Sequence, residues 1–217
     1  MKKYKHIFHP SILREYDIRG IINQTLFEND AFMIGYFFGL ICKEKNLNKL
    51  TTVVLSMDGR LSSPKLKKQT KLGLCKSGCN VIDLGLNPTP VLYFGNHYLR
   101  ADGAIQITGS HNPKDYNGFK MVLKNKPFFG KDIQNLGKKA ESGADISMTG
   151  NIESLNLDEK YIKKILMPLS KSINLKNKKI IWDCGNGATG NIIKNIVKLI
   201  PCNSIVLYSE IDGNFPN

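Results

Sequence analysis

Short apolar runs alternate along the chain with longer stretches that fit helices, so the pattern predicts alternating strands and helices. Thr51–Leu55 is a β-branched apolar run and predicts a buried strand. A helix with Ser62 or Ser63 as its N-cap should continue to about Lys76. Val81–Leu84 predicts the next strand. This strand–helix–strand order favours parallel pairing through a right-handed crossover.

The elements that follow extend the same sheet but change its pairing. Thr89–Leu99 predicts a helix, and Gly103–Thr108 and Gly118–Leu123 predict two strands. The loop that joins these strands has no helical pattern, so they should pair antiparallel. A helix near Lys131–Glu141 would complete the unit. The pattern therefore predicts a three-layer α/β/α domain with a mixed, mostly parallel sheet.

A polar stretch with little pattern, residues 142–157, separates this unit from a second one. We expect a first domain at 1–145, a linker at 146–157 and a partial second domain at 158–217. The second unit should alternate two helices with two strands, namely Asp158–Met167, Lys179–Asp183, Ala188–Ile200 and Ser204–Tyr208. So few elements bury little core by themselves, which leads us to expect a piece of a longer fold.

Composition and charge exclude several classes of protein. The 217 residues are 41% hydrophobic and 23% charged, which is ordinary for a globular protein. The net charge is +13, but only four of the 31 basic residues are arginine and the lysines are scattered. That distribution is not typical of nucleic-acid binding, in which arginine predominates. We expect most lysines on the solvated surface, where their field attracts anionic substrates.

The sequence predicts neither a membrane segment nor a secretory signal. The longest apolar run, Ala31–Cys42, is shorter than the roughly 20 residues that span a bilayer and indicates a buried core helix. The N-terminus is charged and lacks the apolar region of a signal peptide. The five cysteines form no C-x-x-C motif, so we expect reduced thiols in a cytoplasmic protein.

Thr108–Pro113, with the letters TGSHNP, is the strongest chemical signal in the chain. It places Ser110 directly after a predicted buried strand, where α/β proteins bind ligands. A serine displayed there could carry a phosphoryl group. Ser110 and His111 are adjacent, so their side chains should diverge, and we do not expect them to form a nucleophile–base pair. The structural alternative is a turn in which Ser110 and Asn112 form local hydrogen bonds.

Two basic residues are further candidates. Lys120, in an apolar predicted strand, points either to solvent or into a site where burial would lower its pKa and allow proton exchange. Arg19 lies in a charged early loop, Arg14–Gly20, and could bind a phosphate in bidentate fashion. The structural alternatives are an exposed strand lysine and a surface ion pair between Asp17 and Arg19.

The letters GNGATG at Gly185–Gly190 fit the G-x-G-x-x-G fingerprint of dinucleotide-binding proteins. They follow a predicted strand, open a predicted helix, and precede Glu210 at the end of the next strand. An NAD(P)-binding oxidoreductase is therefore the alternative function. Against it, the fingerprint lies in the second unit, and the Ser110 loop would have no role.

Six motifs, in this order, resemble the α-D-phosphohexomutase family, with bacterial phosphomannomutase/phosphoglucomutase as the nearest likeness. They cover nearly the whole chain and are EYDIRG (Glu15–Gly20), DGRLSSP (Asp58–Pro64), NPTPVLYF (Asn87–Phe94), TGSHNPKDYNGFK (Thr108–Lys120), WDCGNGATG (Trp182–Gly190) and EIDGNFPN (Glu210–Asn217). In that family the GNGATG segment begins the second domain and binds no dinucleotide. One departure is Met57, where the family often has an arginine before Asp-Gly-Arg.

The resemblance implies roles for five residues. Ser110 would be the phosphoserine that gives and retakes the phosphoryl group. His111 and Lys120 would take part in proton transfer, and Tyr16 and Arg19 would lie near the substrate and the phosphoserine. The implied reaction interconverts hexose 1-phosphates and 6-phosphates, of glucose or mannose, through a hexose 1,6-bisphosphate.

The resemblance also implies Mg²⁺, held by the phosphate on Ser110 and by three aspartates of a D-G-D-G-D-R loop. No such loop occurs in this sequence. In the family it lies later in the second domain, and the third and fourth domains read the sugar. We therefore expect the 217-residue chain alone to be catalytically inactive.

Overall fold

A computed structural model describes residues 3–46, 50–145, 149–169, 175 and 177–217. Its helices are α1 (Glu28–Glu44), α2 (Ser63–Lys76), α3 (Thr89–Tyr98), α4 (Lys131–Ser142), α5 (Asp158–Leu166) and α6 (Gly190–Ile196). Its strands are β1 (Lys3–Tyr4), β2 (Ile18–Ile21), β3 (Thr52–Met57), β4 (Asn80–Leu86), β5 (Gly103–Ile107), β6 (Tyr116–Leu123), β7 (Lys126–Phe128), β8 (Ala144–Asp145), β9 (Ile152–Ser154), β10 (Lys179–Asp183) and β11 (Asn203–Leu207).

Within the described residues, seven strands form the central sheet, in the order β2-β6-β5-β3-β4-β9 with β7 paired to β6. The segment β5-β3-β4-β9 is parallel, whereas β2, β6 and β7 add antiparallel pairs. The predicted mixed sheet is confirmed, including the antiparallel pairing of β5 with β6. The loops that follow β3 and β5 consequently leave the same edge of the sheet.

Helices cover both faces of this sheet. Successive strand residues point to opposite sides, so the apolar strands place side chains on both faces that the helices bury. On one face, Val53 and Leu55 pack with α1, α2 and α4 in the largest buried cluster. On the other, Val54 packs with Leu92 of α3 in a smaller cluster. The run predicted as a core helix forms most of α1, and its Phe37 is almost completely buried. The three-layer α/β/α prediction is therefore confirmed.

Several local expectations need correction. Helix α2 has its N-cap at Ser62, but that side chain makes no capping hydrogen bond. Helix α6 ends at Ile196 rather than near Ile200. The segment expected to be an early loop contains β2, which pairs antiparallel with β6 and places Arg19 in a strand.

The segment expected to be a linker contributes to the first unit. Its residues 146–148 lie outside the described part of the chain, but β9 joins the sheet in parallel with β4. Leu157 is buried in the cluster on the α3 face. Three strand residues and one core side chain therefore belong to this fold rather than to a free connection.

The second unit consists of parallel strands β10 and β11 with helices α5 and α6. Its small buried cluster joins Ile162, Ile192 and Ile196 to Val91 of α3. The second unit thus packs directly on the first. Among the described residues, no helix has the length and apolar character needed to cross a membrane.

Candidate active site

Ser110 lies in the loop that follows β5, at the edge of the sheet where parallel strands end. Its side chain is exposed, and its backbone has a φ of 53°, which is uncommon for a residue with a side chain. The Ser110 N–H donates to Thr108 Oγ1 at 2.9 Å. Strained conformations of this kind persist where the surrounding structure holds them, and they cluster at functional sites.

His111 does not point away from Ser110. The Ser110 hydroxyl lies 3.3 Å from His111 Nδ1, a long hydrogen bond, and both side chains are exposed. The expectation that the two side chains diverge is therefore wrong. The positive φ at Ser110 turns the backbone between them, so adjacency in sequence does not separate the two groups.

Arg60 holds the Ser110 loop in place, a role that the sequence analysis did not assign. Its side chain is almost fully buried, and its guanidinium donates to three backbone carbonyls of this loop and to one at the start of β6. The acceptors are Ser110 O (3.0 Å), Asn112 O (2.6 Å), Pro113 O (2.6 Å) and Tyr116 O (2.9 Å). The signal was present in the Asp-Gly-Arg motif, which served above only as part of the family resemblance.

Asp58 joins Arg60 to the start of the same loop. Its Oδ2 accepts from Arg60 Nε and from the Gly109 N–H, each at 3.2 Å, and its Oδ1 accepts from Ser63 Oγ at 2.6 Å. Burial lowers the pKa of Arg60, and the adjacent Asp58 carboxylate opposes this effect. Glycine is required at Gly109, because a Cβ there would lie 2.3 Å from Arg60 Cζ.

Arg19 also binds the Ser110 loop. Its Nη1 donates to Gly109 O at 2.7 Å and to Asn112 Oδ1, and its Nη2 pairs with the Asp17 carboxylate. The Asp17–Arg19 pair that the sequence analysis weighed as an alternative is present, but it is buried rather than on the surface. Since two of its nitrogens already bind protein atoms, the position of Arg19 is set before any ligand arrives.

Lys120 points to the same carboxylate. It lies on β6 with a part-exposed side chain, and its Nζ is 3.2 Å from Asp17 Oδ2, the atom that Arg19 also binds. Asp17 therefore brings together two of the predicted site residues. Burial raises the pKa of Tyr93, and the negative charge of Asp17 adds to this effect.

Tyr16, the last of the predicted site residues, lies on the surface of the molecule. Its side chain is 79% exposed, and it precedes Asp17 in the chain. A contact between Tyr16 and a substrate stays a prediction.

A cavity of about 440 Å³ lies beside Ser110. Its lining includes Arg60, His111, Lys114 and, from the end of the chain, Phe215. The space is large enough for a phosphate and part of a sugar, and Lys114 adds a positive charge. Ser110 therefore has an anion-sized space beside it.

The described residues do not form a metal site. They contain no group of three or more histidine, cysteine or acidic side chains placed to hold an ion. Two carboxylates that bind residues of this site are already engaged, Asp17 by Arg19 and Lys120, and Asp58 by Arg60 and Ser63. The part of the chain that the structure describes therefore offers Mg²⁺ no set of carboxylate ligands.

The glycine-rich motif of the second unit does not favour the dinucleotide hypothesis. Asn186, in its first turn, binds the segment after β11 through its backbone and its side chain. A Cβ at Gly190 would lie 2.0 Å from Ser209 O, so this glycine serves close packing between the turn and that segment. The Glu210 side chain is exposed and pairs with Lys194.

Together, the fold and the Ser110 loop define an α/β/α domain that presents a serine beside an anion-sized cavity. Residues 10–145, more than half of the chain, match the family described as "Phosphoglucomutase/phosphomannomutase, alpha/beta/alpha domain I". The chain belongs to this family. The alternative of a dinucleotide-binding protein has no support from these comparisons.

Curated relatives and a solved structure agree with this assignment. Phosphomannomutase/phosphoglucomutase of Pseudomonas aeruginosa is 40% identical over 207 residues, which is 95% of this chain and 43% of the relative. Phosphoglucomutase of Neisseria meningitidis is 36% identical over 95% of this chain and 44% of its own length. A phosphoglucomutase/phosphomannomutase family protein from Burkholderia thailandensis superposes with a TM-score of 0.87 and 35% identity, over 98% of this chain and 46% of that one. The chain thus spans less than half the length of these relatives.

Proposed function

We propose that this chain supplies the phosphoserine part of a phosphohexomutase, which interconverts hexose 1-phosphates and 6-phosphates of glucose or mannose. The observation that carries the proposal is Ser110, exposed at a φ of 53° beside a cavity of about 440 Å³. The buried Arg19 and Arg60 bind backbone carbonyls of the loop, so the backbone that carries the hydroxyl is positioned in advance.

The chemistry follows from the groups around Ser110. A phosphate there carries nearly two negative charges, which Lys114 and Lys120 can partly offset. In the proposed step, a sugar hydroxyl attacks phosphorus, the new O–P bond forms and the P–Oγ bond breaks. The sugar proton passes to a base, for which His111 and Lys120 are the candidates, and Ser110 Oγ regains a proton. The hexose 1,6-bisphosphate then returns its other phosphate to Ser110.

Two parts of the proposal depend on groups that this chain does not itself provide. Mg²⁺ would offset charge on the transferring phosphoryl group, with the phosphate on Ser110 as one ligand. The described residues offer no carboxylate set for it, so its other ligands would come from outside them. The inactivity of the isolated 217 residues, and the contribution of further domains, stay predictions.

We place this activity in the cytoplasm. The five cysteines are free thiols in the structure. Burial raises the pKa of Cys42 and of Cys79, which keeps both thiols protonated and unreactive. Such cysteines suit a reducing compartment.

The test is phosphate on Ser110. Protein purified from its own cells should yield a phosphorylated peptide containing Ser110, detected by mass spectrometry. Chromosomal Ser110→Ala should remove that phosphate and lower hexose-phosphate interconversion in extracts by about 10³-fold or more, because the acceptor of the phosphoryl group is lost.

Ser142→Ala is the matched control, since it removes an exposed hydroxyl at the end of α4. It should leave both the phosphate and the activity unchanged. Wild-type turnover in the Ser110→Ala strain, or an active protein that carries no phosphate on Ser110, would disprove the proposal.

A further inference from the structure

Asn186, the second residue of the glycine-rich turn, uses its polar groups to bind residues 208–217, the last segment of the chain. Its N–H donates to Tyr208 O at 2.9 Å, and its Nδ2 donates to Glu210 O at 2.9 Å. Its carbonyl accepts from the Asp212 N–H at 3.0 Å, and its Oδ1 accepts from Asn217 Nδ2 at 3.1 Å. The residue is buried and has a φ of 55°.

The segment that Asn186 holds packs against the loop after β3, in the first unit. A Cβ at Gly213 would lie 2.6 Å from Leu61 N and 2.8 Å from Gly59 O. A Cβ at Gly59 would lie 2.4 Å from Ile211 Cγ2. The two segments therefore approach as closely as glycine allows, and a shift in one must move the other.

Phe215, in the last segment, contacts Arg60, the residue that holds the Ser110 loop. Its ring lies over the Arg60 guanidinium, with Cζ 5.2 Å from the ring centroid, a cation–π geometry. Arg60 in turn donates to Ser110 O, to two further carbonyls of the loop and to Tyr116 O at the start of β6. Phe215 has a φ of 51°, uncommon for a bulky residue, and its position is held by the contacts around it.

We propose that Asn186 and Phe215 are positioning residues for the Ser110 loop: Asn186 fixes the last segment, whose Phe215 orients Arg60 and with it Ser110. The catalytic meaning of this arrangement rests on the proposed function, but the mechanical coupling does not. In this proposal the glycine-rich turn anchors the second unit to the Ser110 loop, which is a role other than nucleotide binding.

The test compares Asn186→Ala and Phe215→Leu with wild type in the 217-residue chain. Amide hydrogen exchange of residues 108–116 should speed up by about fivefold in both variants, because the loop loses the support of an oriented Arg60. The NMR chemical shift of the Arg60 Nε–H reports whether the Phe215 ring is in place, since an aromatic face shifts the signals of protons beside it. It should move in the same direction in both variants.

Matched controls separate coupling from general destabilisation. Asn191→Ala and Phe129→Leu make the same changes at exposed positions and should leave the loop and the Arg60 signal unchanged. Phe215→Tyr keeps the aromatic face over Arg60 and should restore both readouts to wild-type values. Exchange in α1, far from the coupling, should stay the same in every variant.

Wild-type exchange at 108–116 and an unshifted Arg60 signal in Asn186→Ala and Phe215→Leu would overturn the proposal. A parallel increase in α1 would also overturn it, because that indicates global loosening. If Asn186→Ala does not fold, Phe215→Leu and Phe215→Tyr decide the question alone. These readouts do not require phosphate, so an unphosphorylated Ser110 would refute the proposed function while leaving the coupling intact.

Discussion

At the scale of single residues, two buried arginines, Arg19 and Arg60, hold the loop that carries Ser110. Arg60 is only 2% exposed, and its guanidinium donates to three loop carbonyls, to Tyr116 O at the start of β6 and to the Asp58 carboxylate. A planar guanidinium can reach acceptors on several sides at once, whereas an ammonium group is a point with three donors. The shape of this side chain therefore matters as much as its charge.

Arg60→Lys is expected to destabilise the protein by about 2–4 kcal/mol, because at least one buried carbonyl loses its donor while the positive charge is kept. The measurement is the free energy of unfolding from urea denaturation. Arg100→Lys, at an exposed position, is the control and should change it by less than about 0.5 kcal/mol. Equal stability of the Arg60→Lys protein and wild type would show that charge alone holds the loop.

At the scale of elements, an ion-pair cluster ties α2 to β4. Lys67 and Lys71, one helical turn apart, bind the two oxygens of Asp83 at 2.9 and 3.0 Å. Burial works to raise the pKa of Asp83, but hydrogen bonds from Lys67, the Gly85 N–H and Lys71 outweigh it and lower the pKa. Asp83 thus favours folding in its ionised form.

Asp83→Asn should destabilise the protein at neutral pH by about 1–3 kcal/mol, because charged hydrogen bonds to a buried carboxylate are lost. A carboxyl whose pKa is lowered on folding stabilises above its unfolded pKa and loses that contribution as pH falls through the folded value. The difference from wild type should therefore narrow below about pH 4. Urea denaturation at several pH values measures it, with Glu141→Gln as an exposed control. A difference independent of pH would contradict the linkage.

At the scale of the whole molecule, the second unit depends on the first. Its two-stranded sheet is too small to stand alone, and its buried cluster is completed by Val91 of α3. Trp182, the only tryptophan, is packed against that cluster and reports on the second unit. The two units share one piece of core.

Urea unfolding followed by Trp182 fluorescence should coincide with unfolding followed by far-ultraviolet circular dichroism, because loss of the shared core disrupts both units. Val91→Ala removes two methyl groups and should cost about 2 kcal/mol, with the fluorescence transition moving to lower urea. Val122→Ala, on β6 and partly buried in the first unit, is the control. In this variant, the urea midpoint from fluorescence should not fall below the midpoint from circular dichroism. A separate early fluorescence transition in wild type would show that the units fold independently.

Elements with strong local signals were predictable. Lys179–Asp183 is a strand with the predicted bounds, and α2 ends at the predicted residue, Lys76. Short strands were not, because β2 and β9 have four and three residues and exist through pairing with distant partners. A run of that length carries no periodicity that distinguishes a strand from a loop.

The sequence by itself determined the layered α/β/α architecture and the display of Ser110, because hydrophobic period and the TGSHNP motif are local properties of the chain. Only the tertiary structure decided which groups surround that serine. Arg60 meets carbonyls 50 to 56 positions away, and Asn186 holds a segment whose Phe215 reaches Arg60. The contacts of Arg60 with the loop arise where strand ends meet at one sheet edge, and the contact of Phe215 with Arg60 joins the two units. No local pattern of the sequence encodes either arrangement.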